Sequence, residues 1–202
     1  MAGAGAPPQP GRLAIDDVAL FPLNTVLFPA GRLPLRIFEQ RYMDMAKACL
    51  RDERPFGVCL ILEGNEVGAP ATPAQVGCLA RIDSWDMPQL GMLHVVAVGK
   101  ERFRVLERRV EADGLQRARL EILPPEADGP IPAECRRCVA LLQRVMEQAP
   151  AMFEQPPRLD SAAWVGARLA EALPLPALAK QELLELGDGP ARLQRINLLL
   201  GG

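Results

Sequence analysis

Side chains able to do chemistry are sparse in this chain, and their spacing matches no catalytic pattern. Nucleophilic hydrolysis needs a Ser, Cys or Thr beside a base. The sequence offers two serines, Ser84 in an alternating segment and Ser161 ahead of a helical one, and neither sits in a GxSxG turn. Its single histidine, His94, alternates with Val96 and Val98, which predicts a hydrogen-bonded structural imidazole rather than a catalytic one. Cys135 and Cys138 have the CxxC spacing of zinc and redox sites. Both sulfurs, however, fall on the apolar stripe of a helix, there is no second CxxC, and one histidine cannot complete a four-ligand site. Buried core thiols are the expectation, with no metal ligand set. No GxxxxGK[ST] loop occurs, nor a GxGxxG after a strand, so no nucleotide cradle or other cofactor site is expected. Carboxylates are scattered over polar faces and nominate no acid/base pair.

The densest basic feature, ERFRVLERRV, places Arg102, Arg104, Arg108 and Arg109 around Phe103. A stacking platform for single-stranded nucleic acid wants several exposed aromatics along a basic groove, and aromatics make up 4% of the chain. The arginines read instead as one solvated strand face, paired with Glu101, Glu107 and Glu111.

These groups are carried by 202 residues, 49% of them hydrophobic, enough for one large domain or two small ones with cores. The 23 basic and 25 acidic residues are interspersed, and a net charge of -2 selects no polyanion. Five cysteines at irregular spacing fit reduced, buried thiols better than a disulfide framework. No apolar run approaches the roughly 18 residues of a membrane span. MAGAGAPPQPG has neither the basic start nor the apolar core of a signal peptide. The expectation is a cytoplasmic protein that no membrane holds, with a flexible tail over residues 1–17.

The elements then follow from periodicity. FPLNTVLFPAGRLPLRIFEQRY (residues 21–42) joins strand-like runs broken at Pro22, Pro29 and Pro34, and reads either as a binding strip or as the seam of a β domain. EQRYMDMAKACLRDE (residues 39–53) has helical spacing, and FGVCLILE (residues 56–63) is a buried strand. Residues 64–75 read as a loop. Strands are expected around residues 78–83, 93–99, 101–110 and 115–123, with turns at residues 87–91 and at Asp113-Gly114. Beyond PPEADGPIP everything is helical: a stripe over residues 135–149, a helix capped at Asp160/Ser161, and shorter helices at residues 177–186 and 190–200. The terminal LLLGG reads as a frayed helix end. The fold class is therefore α+β: a β lobe over residues 18–124, then an α-helical lobe over residues 125–202.

Phe21-Pro22-Leu23-Asn24, Phe28-Pro29, Leu33-Pro34-Leu35, Ile37-Phe38-Glu39 and Arg41-Tyr42 resemble the opening signature of the Lon protease N-terminal domain in its stand-alone bacterial form. Phe56-Gly57-Val58, Val76-Gly77, Gly99 with Arg102-Phe103-Arg104, and ALPLPALAKQELLEL continue the match in order. Two departures concern turns: Ala30-Gly31 where the family commonly has two glycines, and Gln40 where it has proline. The resemblance implies a PUA-like β pseudobarrel with an inserted helix, packed against an α-helical bundle, and favours the seam reading of residues 21–42. It implies a non-catalytic module that binds an unfolded or partner polypeptide, with the ATPase and Ser–Lys peptidase chemistry of Lon lying in later domains absent here. Its motif nominates Phe28, Pro29, Leu35, Arg36, Phe38 and Tyr42 as candidate polypeptide contacts, core packing being the alternative for each. RNA binding is the rival function, since PUA-like barrels include RNA binders; the acidic balance argues against nucleic acid.

Overall fold

Period-two alternation builds pleated strands, and the described residues of the computed structural model, 13–153 and 155–201, form seven of them. In chain order they are β1 (Ala14–Leu23), β2 (Arg32–Ile37), β3 (Phe56–Glu63), β4 (Thr72–Pro73), β5 (Val76–Gln89), β6 (Met92–Val110) and β7 (Gln116–Ile122). Five helices accompany them: α1 (Gln40–Asp52) between β2 and β3, then α2 (Arg136–Gln148), α3 (Ala162–Ala172), α4 (Ala177–Glu185) and α5 (Gly189–Leu199). The class is α+β. No helix among the described residues is long and apolar enough to cross a membrane.

The sheet closes on itself. Antiparallel pairing runs β1–β7–β6–β5–β3, and β3 returns to β1 through a parallel ladder that sets residues 20–23 against residues 57–60. Phe21 and Pro22 therefore lie in the closing seam, opposite Val58 and Cys59. A parallel closure needs a crossover connection rather than a hairpin, and β2 with α1 supplies it. Both faces of β1 are buried: Val18 and Leu20 pack with Phe103 and Leu120, while Ala19, Phe21 and Leu23 pack with Tyr42, Phe56 and Leu93. Phe103 fills the space over two glycines, because a Cβ at Gly57 or Gly77 would stand 2.8 or 2.6 Å from its ring.

Two expectations change here. Ala14 and Ile15 pair with Glu121 and Leu120, so residues 14–17, expected in the flexible tail, belong to β1; residues 1–12 of that expected tail lie outside the described residues. The two strands expected on either side of Gly99 are one strand of 19 residues, β6. Gly99 does not end it. It is where a loop docks edge-on: Ala30 N–H donates to Gly99 O and Gly99 N–H to Gly31 O, each at 2.9 Å, and a Cβ there would meet Phe28 O at 2.1 Å.

The helices share a core with the barrel, in which Val26, Phe28, Leu60 and Val76 join Leu142, Trp164, Leu169, Leu183 and Leu193. Buried arginines fasten this contact. Arg192 on α5 makes a bidentate pair with Glu126 at 2.6 and 2.7 Å and donates to the carbonyls of Leu183 and Leu186. Arg102 on β6 reaches the Leu184 and Leu186 carbonyls at 2.9 and 3.0 Å. Arg168 on α3 donates to Pro29 O at 2.7 Å, and its neighbour Glu171 accepts from Phe28 N–H at 3.2 Å.

Candidate functional site

The residues that the sequence nominated for chemistry are placed in structural roles. Ser84 is exposed on β5 opposite Val96. Ser161 caps α3, its hydroxyl accepting from Trp164 N–H and donating to Asp128 at 2.7 Å. Cys135 and Cys138 are fully buried, and burial pushes both thiols above their ordinary value. Burial likewise raises Cys49 to about 11 and Cys59 to about 12, so none is poised as a thiolate. Among the described residues, no group of three or more His, Cys, Asp or Glu side chains could hold a metal. His94 is half-buried opposite Arg36, and its Nε2 has no hydrogen-bond partner, where a bonded imidazole was expected.

Three of the four arginines of ERFRVLERRV, Arg102, Arg108 and Arg109, are likewise committed. Arg102 is buried against Glu126 and the α4–α5 carbonyls, Arg108 donates to Gln116 at 2.6 Å, and Arg109 pairs with Asp17 and Glu111. Phe103 is wholly inside the barrel, where it can stack on no base.

Among the cavities that the described residues leave open is a groove of ≈ 320 Å³ along β2. β2 pairs with β6 from Arg32↔Val98 to Ile37↔Leu93, and its other edge has no strand partner among the described residues. Alternation turns Leu33, Leu35 and Ile37 toward the core and Pro34 and Arg36 outward. The groove floor is apolar: Phe21 and Tyr42 stack with ring centroids 4.2 Å apart and planes 23° from parallel, and Leu23, Leu33 and Leu35 extend it. At the rim stand Phe38, 54% exposed, and Val67, 56% exposed.

One motif holds this rim together. α1 begins one residue after Glu39, whose carboxylate pairs with Arg41 at 2.8 Å and accepts from Gly68 N–H at 3.5 Å. Arg41 is itself buried and donates to Gly68 O at 2.8 Å and to Gly114 O at 3.2 Å. Its guanidinium carbon also lies 4.8 Å over the Tyr42 ring. The pair thus clamps the loop bearing Glu66 and Val67 against the start of α1. Gln40, in the first helical position, donates its side-chain amide to Asp44 at 2.8 and 2.9 Å. Burial pushes the Tyr42 phenol above its ordinary value; Arg41 opposes the shift, and Glu39 and Glu66 add to it. The hydroxyl thus stays neutral in the groove, able to donate and to accept.

The six nominated residues separate. Leu35, Arg36, Phe38 and Tyr42 line the groove. Phe28 does not: it is wholly buried between barrel and helices, with the Arg192 guanidinium 5.5 Å over its ring. Pro29 lies beside it on a different cavity, its carbonyl held by Arg168. Phe21, Leu23, Glu66 and Val67 line the groove without having been nominated. Phe21 and Leu23 stood in the quoted signature, but nothing local marks Glu66 and Val67, which come from a loop.

The family model of the ATP-dependent protease La (LON) substrate-binding domain matches residues 17–201. The crystal structure of a Lon N-terminal domain protein from Xanthomonas campestris superposes with a TM-score of 0.75 at 36% identity, covering 90% of this chain and 97% of that one. Lon protease from Phenylobacterium zucineum is 29% identical over 92% of this chain and 24% of its own length. Protein cereblon from Danio rerio is 30% identical over 55% of this chain and 26% of its own. The chain thus spans about a quarter of the length of these two relatives. A match over nearly its whole length, together with the closed sheet, the inserted α1 and the helical lobe, places this chain in the LON substrate-binding domain family.

Proposed function

We propose that this chain is a non-catalytic module that holds an extended polypeptide in the groove along β2, in a cytoplasmic setting suited to its free thiols. The supporting observation is the combination, at one place, of an open strand edge, an apolar floor and two large apolar side chains, Phe38 and Val67, standing in solvent. An extended segment added beside an edge strand gains main-chain hydrogen bonds, and alternate side chains enter the pockets. Phe38 is the anchor of such a complex, with Arg36, Glu39 and Glu66 offering charge of both signs around it. The family's description as a substrate-binding domain accords with this reading.

The test is titration of a permanently unfolded, carboxymethylated model protein. Phe38→Ala is expected to weaken binding about tenfold, or about 1.4 kcal/mol. Because Phe38 is exposed, its thermal unfolding should not change. Unaltered affinity would remove the groove from the interaction, and peptide cleavage lost on Ser84→Ala would overturn the non-catalytic reading.

A further inference from the structure

The backbone of β2 divides its polar groups between two edges. Along an antiparallel ladder, successive residues point their N–H and C=O by turns toward the partner strand and away from it. Gly99 N–H donates to Gly31 O at 2.9 Å, next to the pair Arg32↔Val98, so the Gly31 carbonyl faces β6 and the main-chain groups of Arg32 face away. Leu33, Leu35 and Ile37 then spend theirs on β6, while Arg32, Pro34 and Arg36 turn theirs to the free edge. Pro34 agrees with this phase, because the register runs unbroken through it although it has no N–H to give. The free edge of β2 therefore offers N–H donors at Arg32 and Arg36. By the same alternation, these residues carry their side chains on the outer face, and Leu33, Leu35 and Ile37 carry theirs toward the core.

Charge separates the two donors. Arg32 is paired with Asp83 at 2.9 Å. The exposed Arg36 guanidinium has no hydrogen bond or ion pair among the described residues. Its neighbour in register is His94, and Asp86 stands beyond, its carboxylate accepting from Met87 N–H at 2.8 Å. The two acids of the groove are tied into the fold, Glu39 by Arg41 and Gly68 N–H, Glu66 by Asn24 N–H at 2.6 Å. Of the three charged residues lining the groove, Arg36 is the one left unpaired, and it stands where the backbone also offers a free N–H and C=O. A strand added to this edge, in either direction, sets the residue opposite Arg36 on the outer face beside the guanidinium. The residues on either side of it point over the groove, whose floor is the Phe21–Tyr42 stack.

Resting on the reading of this groove as a polypeptide site, we propose that it selects extended segments with an acidic residue between two apolar ones, the carboxylate on Arg36 and the apolar side chains in the groove. Opposite charges facing each other across a strand pair favour binding by up to about fivefold. The probes are fluorescein-labelled peptides Ser-Thr-Val-X-Phe-Thr-Ser, with Glu, Gln or Lys at X, titrated with the full chain and read by anisotropy. The parent should bind the Glu peptide about threefold tighter than the Gln peptide and the Lys peptide weakest, the spread narrowing as salt rises. Arg36→Gln should level the three affinities, and Arg36→Glu should invert their order. Phe38→Ala should weaken all three by about the same factor and keep the order. Equal affinities in the parent, or an order that Arg36→Glu leaves unchanged, would overturn the acidic preference while the groove still stands on Phe38. Peptides indifferent to Phe38→Ala, or no measurable binding of any of the three, would remove the groove and this preference with it.

Discussion

Ala30 holds a left-handed backbone, φ 60°, where the chain turns from Pro29 toward β2. The turn is set by hydrogen bonds on either side, Ala30 N–H to Gly99 O at 2.9 Å and Gly31 N–H to Phe28 O at 3.0 Å. An L residue in that conformation costs about 1 kcal/mol that glycine does not incur. Ala30→Gly is therefore expected to raise stability by up to about 1 kcal/mol, less the entropy glycine adds to the unfolded chain; denaturant titration measures it, and a lower midpoint would refute the strain. The Phe38-Glu39-Gln40-Arg41-Tyr42 stretch is instructive at the same scale. Its residue types were legible as a motif, yet each has a different fate: Phe38 in solvent, Glu39 and Arg41 clamping a loop, Tyr42 stacked on Phe21. Which of them faces water is decided by where that loop lies, and the loop is 27 residues away at Gly68.

Helical spacing in residues 39–53 and alternation in residues 78–122 were enough to place α1 and the strands of the barrel wall, because burial of one face is a local property of the pattern. The length of β6 was not legible. Gly99 resembles a strand end, and only the docking of the Phe28–Gly31 turn against it explains a glycine inside a strand. β2 shows how an open edge is kept from pairing at random. Proline is accommodated in a sheet where its missing N–H faces away from the partner strand, so Pro34 withdraws one donor from the free edge. Restoring it with Pro34→Val should promote edge-to-edge association. Light scattering that rises with protein concentration in the variant, and not in the parent, is the expected result; equal scattering would mean the edge is protected by something else.

Across the whole molecule, barrel and helices are joined by charge as well as by apolar packing. Phe28 N–H meets Glu171 across 143 residues of sequence, and Pro29 O meets Arg168 across 139. Burial raises the Glu171 carboxyl from 4.5 to about 7, opposed by Arg168, Phe28 N–H and Lys180. The side chain retains 24% of its surface, so solvent tempers the effect without reversing it. A carboxyl whose folded value is raised stabilises the fold fully below its unfolded value and loses that contribution as pH climbs through the folded one. Stability should thus decline from about pH 4.5 to about 7 through this group and level off above. Glu171→Gln, which keeps an acceptor for Phe28 N–H, should flatten that slope in unfolding midpoints measured across the range; parallel curves for parent and variant would exclude the assignment.

By itself the sequence determined most of the elements, the α+β class and the family resemblance, since each rests on local periodicity, turn residues and collinear motifs. Only the tertiary structure decided that Phe28, nominated for contact, is core, while Phe38 and Val67 stand in solvent beside a groove. The reason is physical: a closed sheet brings β1 against β3, and an insertion lays β2 on β6. A side chain's exposure then depends on segments tens of residues away, which no local pattern encodes.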